Sequence, residues 1–304
     1  MSDPLVWLPF DPAELGEPPG GLRYEQVDPT EDVPDSVAEV EFYVAPYQLG
    51  PRGGEVMAQM PRLRVVQTLT AGVDNIRSAV PEGVTLCNGR GIHDASAAEL
   101  AVTLTLASLR DVPRWVRRQD AHDWAPSWRE SLADKTVLIV GYGSIGEAIE
   151  ARLTPFECDV VRVARSARDG VHAFGELADL LPGADVVVLV VPLTDETRGL
   201  VDAGFLGAMK QDALLVNIAR GAVVVTDDLL AALHAGRIRA ALDVFETEPL
   251  PPDSPLWEAP GLLPTPHVGG LSSAMWPRSY RLVREQLQRF AAGEDLCNVM
   301  TGAY

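Results

Sequence analysis

The sequence predicts an α/β protein made of two doubly wound parallel-sheet domains. Short apolar runs alternate with amphipathic helical stretches over most of the 304 residues, the pattern of strands joined by crossover helices. Runs such as Asp185 to Val191 are apolar at nearly every position, as a strand covered by helices on both sides must be. The length is enough for two domains, each burying its own core.

The elements follow in order. A strand at Leu5 to Leu8 precedes a loop from Asp11 to Gly21 that is rich in Pro, Gly and Glu. Strand-like runs come next at Leu22 to Val27, Val40 to Val44, Arg64 to Thr68 and Val84 to Leu86, with a helix expected over Arg52 to Met60. Ser96, with Glu99 three positions on, reads as the N-cap of a capping box opening a helix that runs to about Arg110. Trp115, Trp124 and Trp128 punctuate an arm after it. The second half then alternates: strand 136–141, helix 145–153, strands 159–163 and 185–191, helix 203–209, strand 213–218, helix 226–234, strand 239–244. After Pro277, Leu282, Val283, Leu287 and Phe290 recur at helical spacing, so this tail is expected to pack back onto the first domain. The domain boundaries expected are 1–95 with 277–304 for the first domain and 96–276 for the second.

Composition narrows the function. With 43 acidic against 25 basic residues and a net charge of −18, long-range electrostatics repel nucleic acid and anionic membranes. An anionic substrate must therefore be captured by a local positive site. The longest apolar helical run, Ala98 to Leu109, contains Glu99 and is shorter than the roughly 20 residues of a membrane span. Met-Ser-Asp-Pro at the start shows no basic, then apolar, leader pattern. Cys87, Cys158 and Cys297 are far apart and lack C-x-x-C spacing; reduced thiols, no metal site and a cytoplasmic protein are expected.

The most informative motif is Val137-Leu-Ile-Val-Gly141-Tyr-Gly143-Ser144-Ile145-Gly146, in which an apolar run breaks into G-x-G-x-x-G and an amphipathic segment follows. Strand, glycine turn and helix in that order hold a dinucleotide pyrophosphate, and define a Rossmann-like unit. Gly141 permits the tight turn, Gly143 lets backbone approach phosphate, and Gly146 lets helix pack on strand. The N–H groups of the helix start, at Ser144 and Ile145, face the anion. An acid after the second strand normally receives the ribose hydroxyls of NAD. Here Arg165, Ser166, Ala167 and Arg168 precede the first acid, Asp169. Arg165, Ser166 and Arg168 suit a 2′-phosphate, so NADP(H) is expected over NAD(H), unless Asp169 reaches the ribose and the arginines are a solvated turn.

Three segments stand after strands of the second domain, where open α/β sheets bind ligands: Asn217-Ile218-Ala219-Arg220-Gly, Asp243-Val-Phe-Glu-Thr-Glu248-Pro and Pro264-Thr-Pro-His267-Val-Gly269. Arg220 offers a bidentate fork to a carboxylate. His267 titrates near neutral pH and can exchange a proton with a substrate oxygen. A carboxylate beside it, Glu248, would raise its pKa and orient it. Each alone has a duller reading, as a strand-end charge, a loop acid or a packed turn residue.

With Thr70-Ala71-Gly72-Val-Asp-Asn75, Ala98-Glu-Leu, Val191-Pro192-Leu-Thr194, Leu242-Asp-Val-Phe245 and Pro266-His-Val-Gly269 in the same order, the chain resembles the D-isomer-specific 2-hydroxyacid dehydrogenase family nearly end to end, closest in type to NADP-preferring glyoxylate/hydroxypyruvate reductases. The resemblance implies a flavodoxin-like substrate domain, a nucleotide-binding Rossmann domain and a homodimer supported by the segment from Ala98 to about Ser131. It assigns Arg220 to the substrate carboxylate and carbonyl, His267 to acid/base work and Glu248 to pairing with His267. Backbone N–H groups around Ala71 and Gly72 take the other carboxylate oxygen. The cofactor's surroundings would further include Val191, Pro192, Thr197, Ile218, Ala219, Asp243 and Gly269. Tyr47, His93, Met275 and Trp276 are candidates for the substrate pocket or for ordinary packing, and hinges are expected near 91–95 and 271–277. A rival from another class is a dinucleotide-sensing regulator or corepressor on the same fold. Formate or phosphite oxidation is disfavoured, since Ala71 stands where a phosphite enzyme would want a lysine.

Overall fold

The computed structural model describes residues 3–301 apart from 30, 32, 48 and 49, so both outer limits expected for the first domain lie outside the described residues. The chain divides into two compact units, one running to His93 and resuming at Ser273, the other spanning Asp94–Ser272. The breaks fall two and four residues before the positions expected from sequence.

The first unit is built on β1 (Leu5–Leu8), β2 (Arg23–Gln26), β3 (Val40–Val44), α1 (Gly50–Glu55), β4 (Val65–Gln67) and β5 (Thr85–Cys87). Its strands form one sheet in the order β2-β1-β3-β4-β5, with every pairing parallel. Alternate residues of a strand point to opposite faces, and the two faces carry separate cores. One holds Leu5, Trp7, Tyr43 and Val66; the other holds Val6, Leu8, Phe42, Val44 and Val65.

The second unit opens with α2 (Asp94–Leu109) and α3 (Val112–Asp120). It continues through β6 (Thr136–Val140), α4 (Ser144–Leu153), β7 (Asp159–Ala164), β8 (His172–Ala173), α5 (Leu177–Leu180), β9 (Val186–Leu189), α6 (Ala203–Ala208), β10 (Leu214–Asn217), α7 (Thr226–His234), β11 (Arg239–Leu242) and β12 (Leu262–Pro264). The seven strands run in the order β12-β11-β10-β9-β6-β7-β8, all parallel. Strand order reverses between β6 and β9, and such a switch point leaves a crevice at the strands' carboxyl ends. Cores again lie on both faces, one around Leu138, Val187, Leu189 and Leu215 and one around Val137, Ile139, Val188 and Val216.

The last helix, α8 (Met275–Ala292), belongs to the first unit, where it buries Met275, Val283, Leu287 and Phe290 in the face formed by Val6, Leu8 and Phe42. Each such side chain contributes roughly 1.5–3 kcal/mol relative to exposure. The amphipathic tail therefore packs as its spacing predicts. Pro277 sits in the first turn, where its missing N–H costs no helical bond.

The expected capping box does not form. Helix α2 begins at Asp94, two residues before Ser96, with an acid in the first turn, where the helix dipole favours it. Ser96 lies inside the helix, and its hydroxyl bonds that of Ser272 at 2.6 Å. The expected helix over 52–60 is split, since α1 ends at Glu55 and a tighter 3-10 turn continues to Gln59. Among the described residues no helix is long and apolar enough to cross a membrane.

Candidate active site

The glycine turn lies between β6 and α4, at the switch point. Gly141 has φ 106°, a left-handed conformation open chiefly to glycine. A Cβ there would stand 2.6 Å from the carbonyl carbon of Val190, so the turn passes against the chain leaving β9. At Gly146 a Cβ would come within 2.9 Å of the Gly141 oxygen, which makes the third glycine a requirement of helix–strand contact. Around Gly143 nothing lies within 4 Å of an added Cβ, leaving backbone open to a ligand. With the N-terminal turn of a ten-residue helix beginning at Ser144, these are the features a pyrophosphate needs. The Ser144 hydroxyl donates to Asp94 at 3.2 Å.

The neighbouring loop after β9 is stapled by Thr197, which is buried, donates to the Pro192 carbonyl at 2.6 Å and accepts from the Thr194 N–H at 2.8 Å. Thr197 thus shapes the loop that carries Val191 and Pro192. After β7, Arg165, Ser166 and Arg168 are all exposed.

Arg220, Glu248 and His267 come from the ends of β10, β11 and β12, adjacent strands in the sheet. Asn217, the last residue of β10, accepts from the Ala219 N–H at 2.9 Å and donates to the Arg220 carbonyl at 3.1 Å. It closes the turn that presents Arg220. Gly221 follows because an added Cβ would meet the carbonyl carbon of Phe245 at 1.8 Å. The turns after β10 and β11 are pressed together at backbone level.

His267 Nδ1 lies 2.6 Å from Glu248 Oε2, and Glu248 Oε1 accepts the Phe245 N–H at 2.8 Å. Hydrogen bonding to Glu248 holds the His267 pKa above its usual value against partial burial, with Arg220 opposing as a nearby positive charge. Burial would raise the Glu248 carboxyl, yet the His267 and Phe245 hydrogen bonds and the charges of His267 and Arg220 outweigh it and hold Glu248 low. An ionised carboxylate can only accept, so Nδ1 carries the proton of that bond and Nε2 is left for exchange. All three groups therefore act on one another electrostatically.

The loop bearing His267 is anchored by Asp243. This residue is 2% exposed, and its carboxylate accepts from the Thr265 hydroxyl at 2.6 Å, the Val268 N–H at 2.9 Å and the Gly269 N–H at 2.8 Å. Its carbonyl takes the His267 N–H at 2.8 Å. A buried carboxylate needs such donors, and here they shape the 265–269 loop, with His267 at φ 53°. Sequence reasoning foresaw neither this anchoring nor the parts of Asn217 and Thr265; D-x-x…T-x-x-x-G across two strand ends carries no local signal.

Ala71 and Gly72 lie in the first unit, in a loop pinned through its carbonyls. Asn88 Nδ2 donates to the Ala71 oxygen at 2.9 Å, and the Thr70 hydroxyl to the Gly72 oxygen at 2.7 Å. His93 is buried with Nε2 2.8 Å from the Leu69 carbonyl, and the Tyr47 ring lies 5.4 Å from its ring. Trp276 stacks on Tyr280 at 5.7 Å and meets the edge of Phe10 at 6.3 Å. Met275, which the sequence left open between pocket lining and ordinary packing, is buried in that unit's core.

Comparison with known proteins places the chain among relatives of one family. Residues 102–269, more than half of the chain, match the NAD-binding domain of D-isomer specific 2-hydroxyacid dehydrogenases. The glyoxylate reductase of Pyrococcus horikoshii is 36% identical over 259 residues, covering 79% of this chain and 77% of that protein. Among solved structures, a D-isomer specific 2-hydroxyacid dehydrogenase family protein from Aeromonas salmonicida superposes with a TM-score of 0.87 at 31% identity, over 99% of both chains. An NADPH-dependent glyoxylate/hydroxypyruvate reductase from Sinorhizobium meliloti, solved with NADP and sulfate, gives 0.82 at 27% identity over 97% of both. Relatives that are reductases favour an enzyme over the regulatory module that the sequence also allowed.

Proposed function

Since this chain belongs to the D-isomer specific 2-hydroxyacid dehydrogenase family and is an NAD(P)-dependent oxidoreductase, we propose that it moves a hydride between NADP(H) and a small 2-keto or 2-hydroxy acid in the manner of glyoxylate/hydroxypyruvate reductases. The observation that carries this reading is the His267–Glu248 pair at 2.6 Å under the charge of Arg220. When bound, the reduced nicotinamide supplies the hydride received at C2 of the keto acid. Arg220 holds the substrate's carboxylate and carbonyl, and His267 delivers a proton from Nε2 to the forming alkoxide. Glu248 stabilises the charged imidazole before that transfer and keeps its plane fixed. Ala71 and Gly72 are proposed as backbone donors to the second carboxylate oxygen. The carboxylate of Asp243 positions His267 through the 265–269 loop, beside its proposed contact with the cofactor.

Preference for NADP(H) is supported by two exposed arginines after β7 and by the lack of an acid between Ala164 and Asp169. Assembly as a homodimer is supported by the arm after α3. There Trp124 and Trp128 are 95% and 98% exposed, and they line a cavity of about 1300 Å³ with Trp115 and Arg118. Large apolar side chains so open to water mark a partner surface. Three free cysteines suit the reducing cytoplasm.

The test is turnover of glyoxylate, hydroxypyruvate, pyruvate and phenylpyruvate with NADPH and with NADH, followed by nicotinamide absorbance. Reduction of at least one acid, faster at low cofactor with NADPH, is expected. Failure of all four with both cofactors refutes the activity, and equal Michaelis constants for the two cofactors refute the preference.

A further inference from the structure

The middle residue of the glycine turn, Tyr142, lies at the centre of a charged cluster that no step of the chemistry uses. Its hydroxyl donates to Glu150 on α4. Glu150 also accepts two hydrogen bonds from Arg162 on β7, one of them from Nε at 2.7 Å. The Arg162 guanidinium lies 5.7 Å from the centroid of the Tyr142 ring, and that of Arg168 lies 5.6 Å from the same centroid. Arg168 Nη2 further donates to the Tyr142 carbonyl at 2.5 Å.

The two arginines on this ring differ in charge balance. Arg162 is neutralised by Glu150, while among the described residues Arg168 has no carboxylate partner. Its guanidinium is held by a ring and by a carbonyl of the glycine turn itself. Arg165, the other arginine after β7, is paired with Glu196 at 3.1 Å, and both side chains are largely exposed. Of the residues suited to a 2′-phosphate, Arg168 therefore has both an uncompensated charge and a fixed position. A fixed cation loses less freedom on binding an anion than a mobile one.

We propose that Tyr142 is a specificity-determining positioning residue: its ring and carbonyl hold Arg168 beside the glycine turn for the 2′-phosphate of NADP(H), and its hydroxyl, tied to Glu150, keeps the ring in place. This rests on the NADP(H) reading above. The consequence is that discrimination between the two dinucleotides depends on a residue whose side chain is engaged with Glu150 and the two arginines.

The experiment measures binding by calorimetry with two probes, adenosine 2′,5′-bisphosphate and 5′-AMP, so that turnover is not needed. The wild-type protein should favour the bisphosphate, and Arg168→Ala should remove that margin. Tyr142→Leu should weaken the bisphosphate on the order of fivefold, as expected for loss of one cation–π contact, and leave 5′-AMP within about twofold. Tyr142→Phe, which keeps the ring, should retain most of the margin. In the double variant Tyr142→Leu should add nothing to Arg168→Ala, because it acts through that side chain. A wild-type margin that Arg168→Ala abolishes but Tyr142→Leu leaves intact overturns this inference alone, as does additivity in the double variant. A wild-type protein with no margin overturns the cofactor reading and the inference with it. If Tyr142→Leu also loses 5′-AMP, Tyr142→Met carries the same comparison, filling the volume without the ring's negative face.

Discussion

Replacing Glu248 with Gln tests the proposed catalytic pair with almost no change in shape. Glu248 uses one oxygen for the Phe245 N–H and the other for His267 Nδ1. An amide has a single oxygen, and Phe245, a fixed backbone donor, would claim it. The amide nitrogen would then face Nδ1, which must accept, so the cationic imidazole loses its partner. A hydrogen bond to a charged group is worth about 1.5–3 kcal/mol, and the lower end applies here because the His267 side chain is 48% exposed. About 1.4 kcal/mol corresponds to tenfold in rate, so kcat/KM for keto-acid reduction should fall on the order of tenfold at neutral pH. The pH profile should move with it. In the native protein the His267 pKa is held above its usual value, so reduction through the proposed acid should stay high at acidic and neutral pH and decline as pH rises through the raised pKa. In Glu248→Gln that decline should begin at lower pH, while hydroxy-acid oxidation, which needs the neutral imidazole, should begin to rise at lower pH. Stopped-flow reduction across pH 5 to 10 would measure both. Rates within twofold of wild type and an unmoved alkaline limb would refute the role given to this pair.

Three further outcomes follow from the geometry. Gly221→Ala should cost more than the 1–3 kcal/mol typical of overpacking, since the intruded atom is the Phe245 carbonyl carbon, 1.8 Å away; a thermal midpoint within two or three degrees of wild type would contradict this. Asp243→Asn removes the charge that accepts from Thr265, Val268 and Gly269, and should cost about 1–3 kcal/mol in denaturant unfolding while lowering kcat more than cofactor affinity. A change confined to cofactor affinity would assign Asp243 to the cofactor alone. Trp124→Ser with Trp128→Ser should shift the proposed dimer to monomer in sedimentation; a dimer of unchanged stability would remove the arm from the interface.

Legibility in the sequence followed burial. Strands such as β9 and β10, every residue of which is buried, could be placed because a doubly covered strand must be apolar throughout. Helix α3 was missed although Val112, Trp115 and Val116 stand at helical spacing, because three apolar positions in nine residues that bury none of them are too few to outweigh Pro113, which reads as a breaker although the first turn is where proline is tolerated. Strands β8 and β12 and helix α5, of two, three and four residues, are too short for any period. At the site, Arg220 and Glu248 were legible because each follows a strand that the pattern locates, and His267 because it stands in the Pro266-His-Val-Gly269 motif, the short strand before it giving no signal of its own. The Tyr142, Glu150 and Arg162 cluster was not, because it depends on α4 and β7 lying side by side, and on ring geometry that residue spacing does not encode.

The left-handed backbone at His267 decides how a catalytically silent version of this protein is best made. Asn is among the few residues that accept φ near 53° without a glycine's freedom, whereas alanine introduces strain into the segment that Asp243 grips. Exchange of the imidazole for Asn should leave the surrounding chain undisturbed, giving a competent but inert receptor in which ternary complexes persist long enough for crystallisation or slow titration.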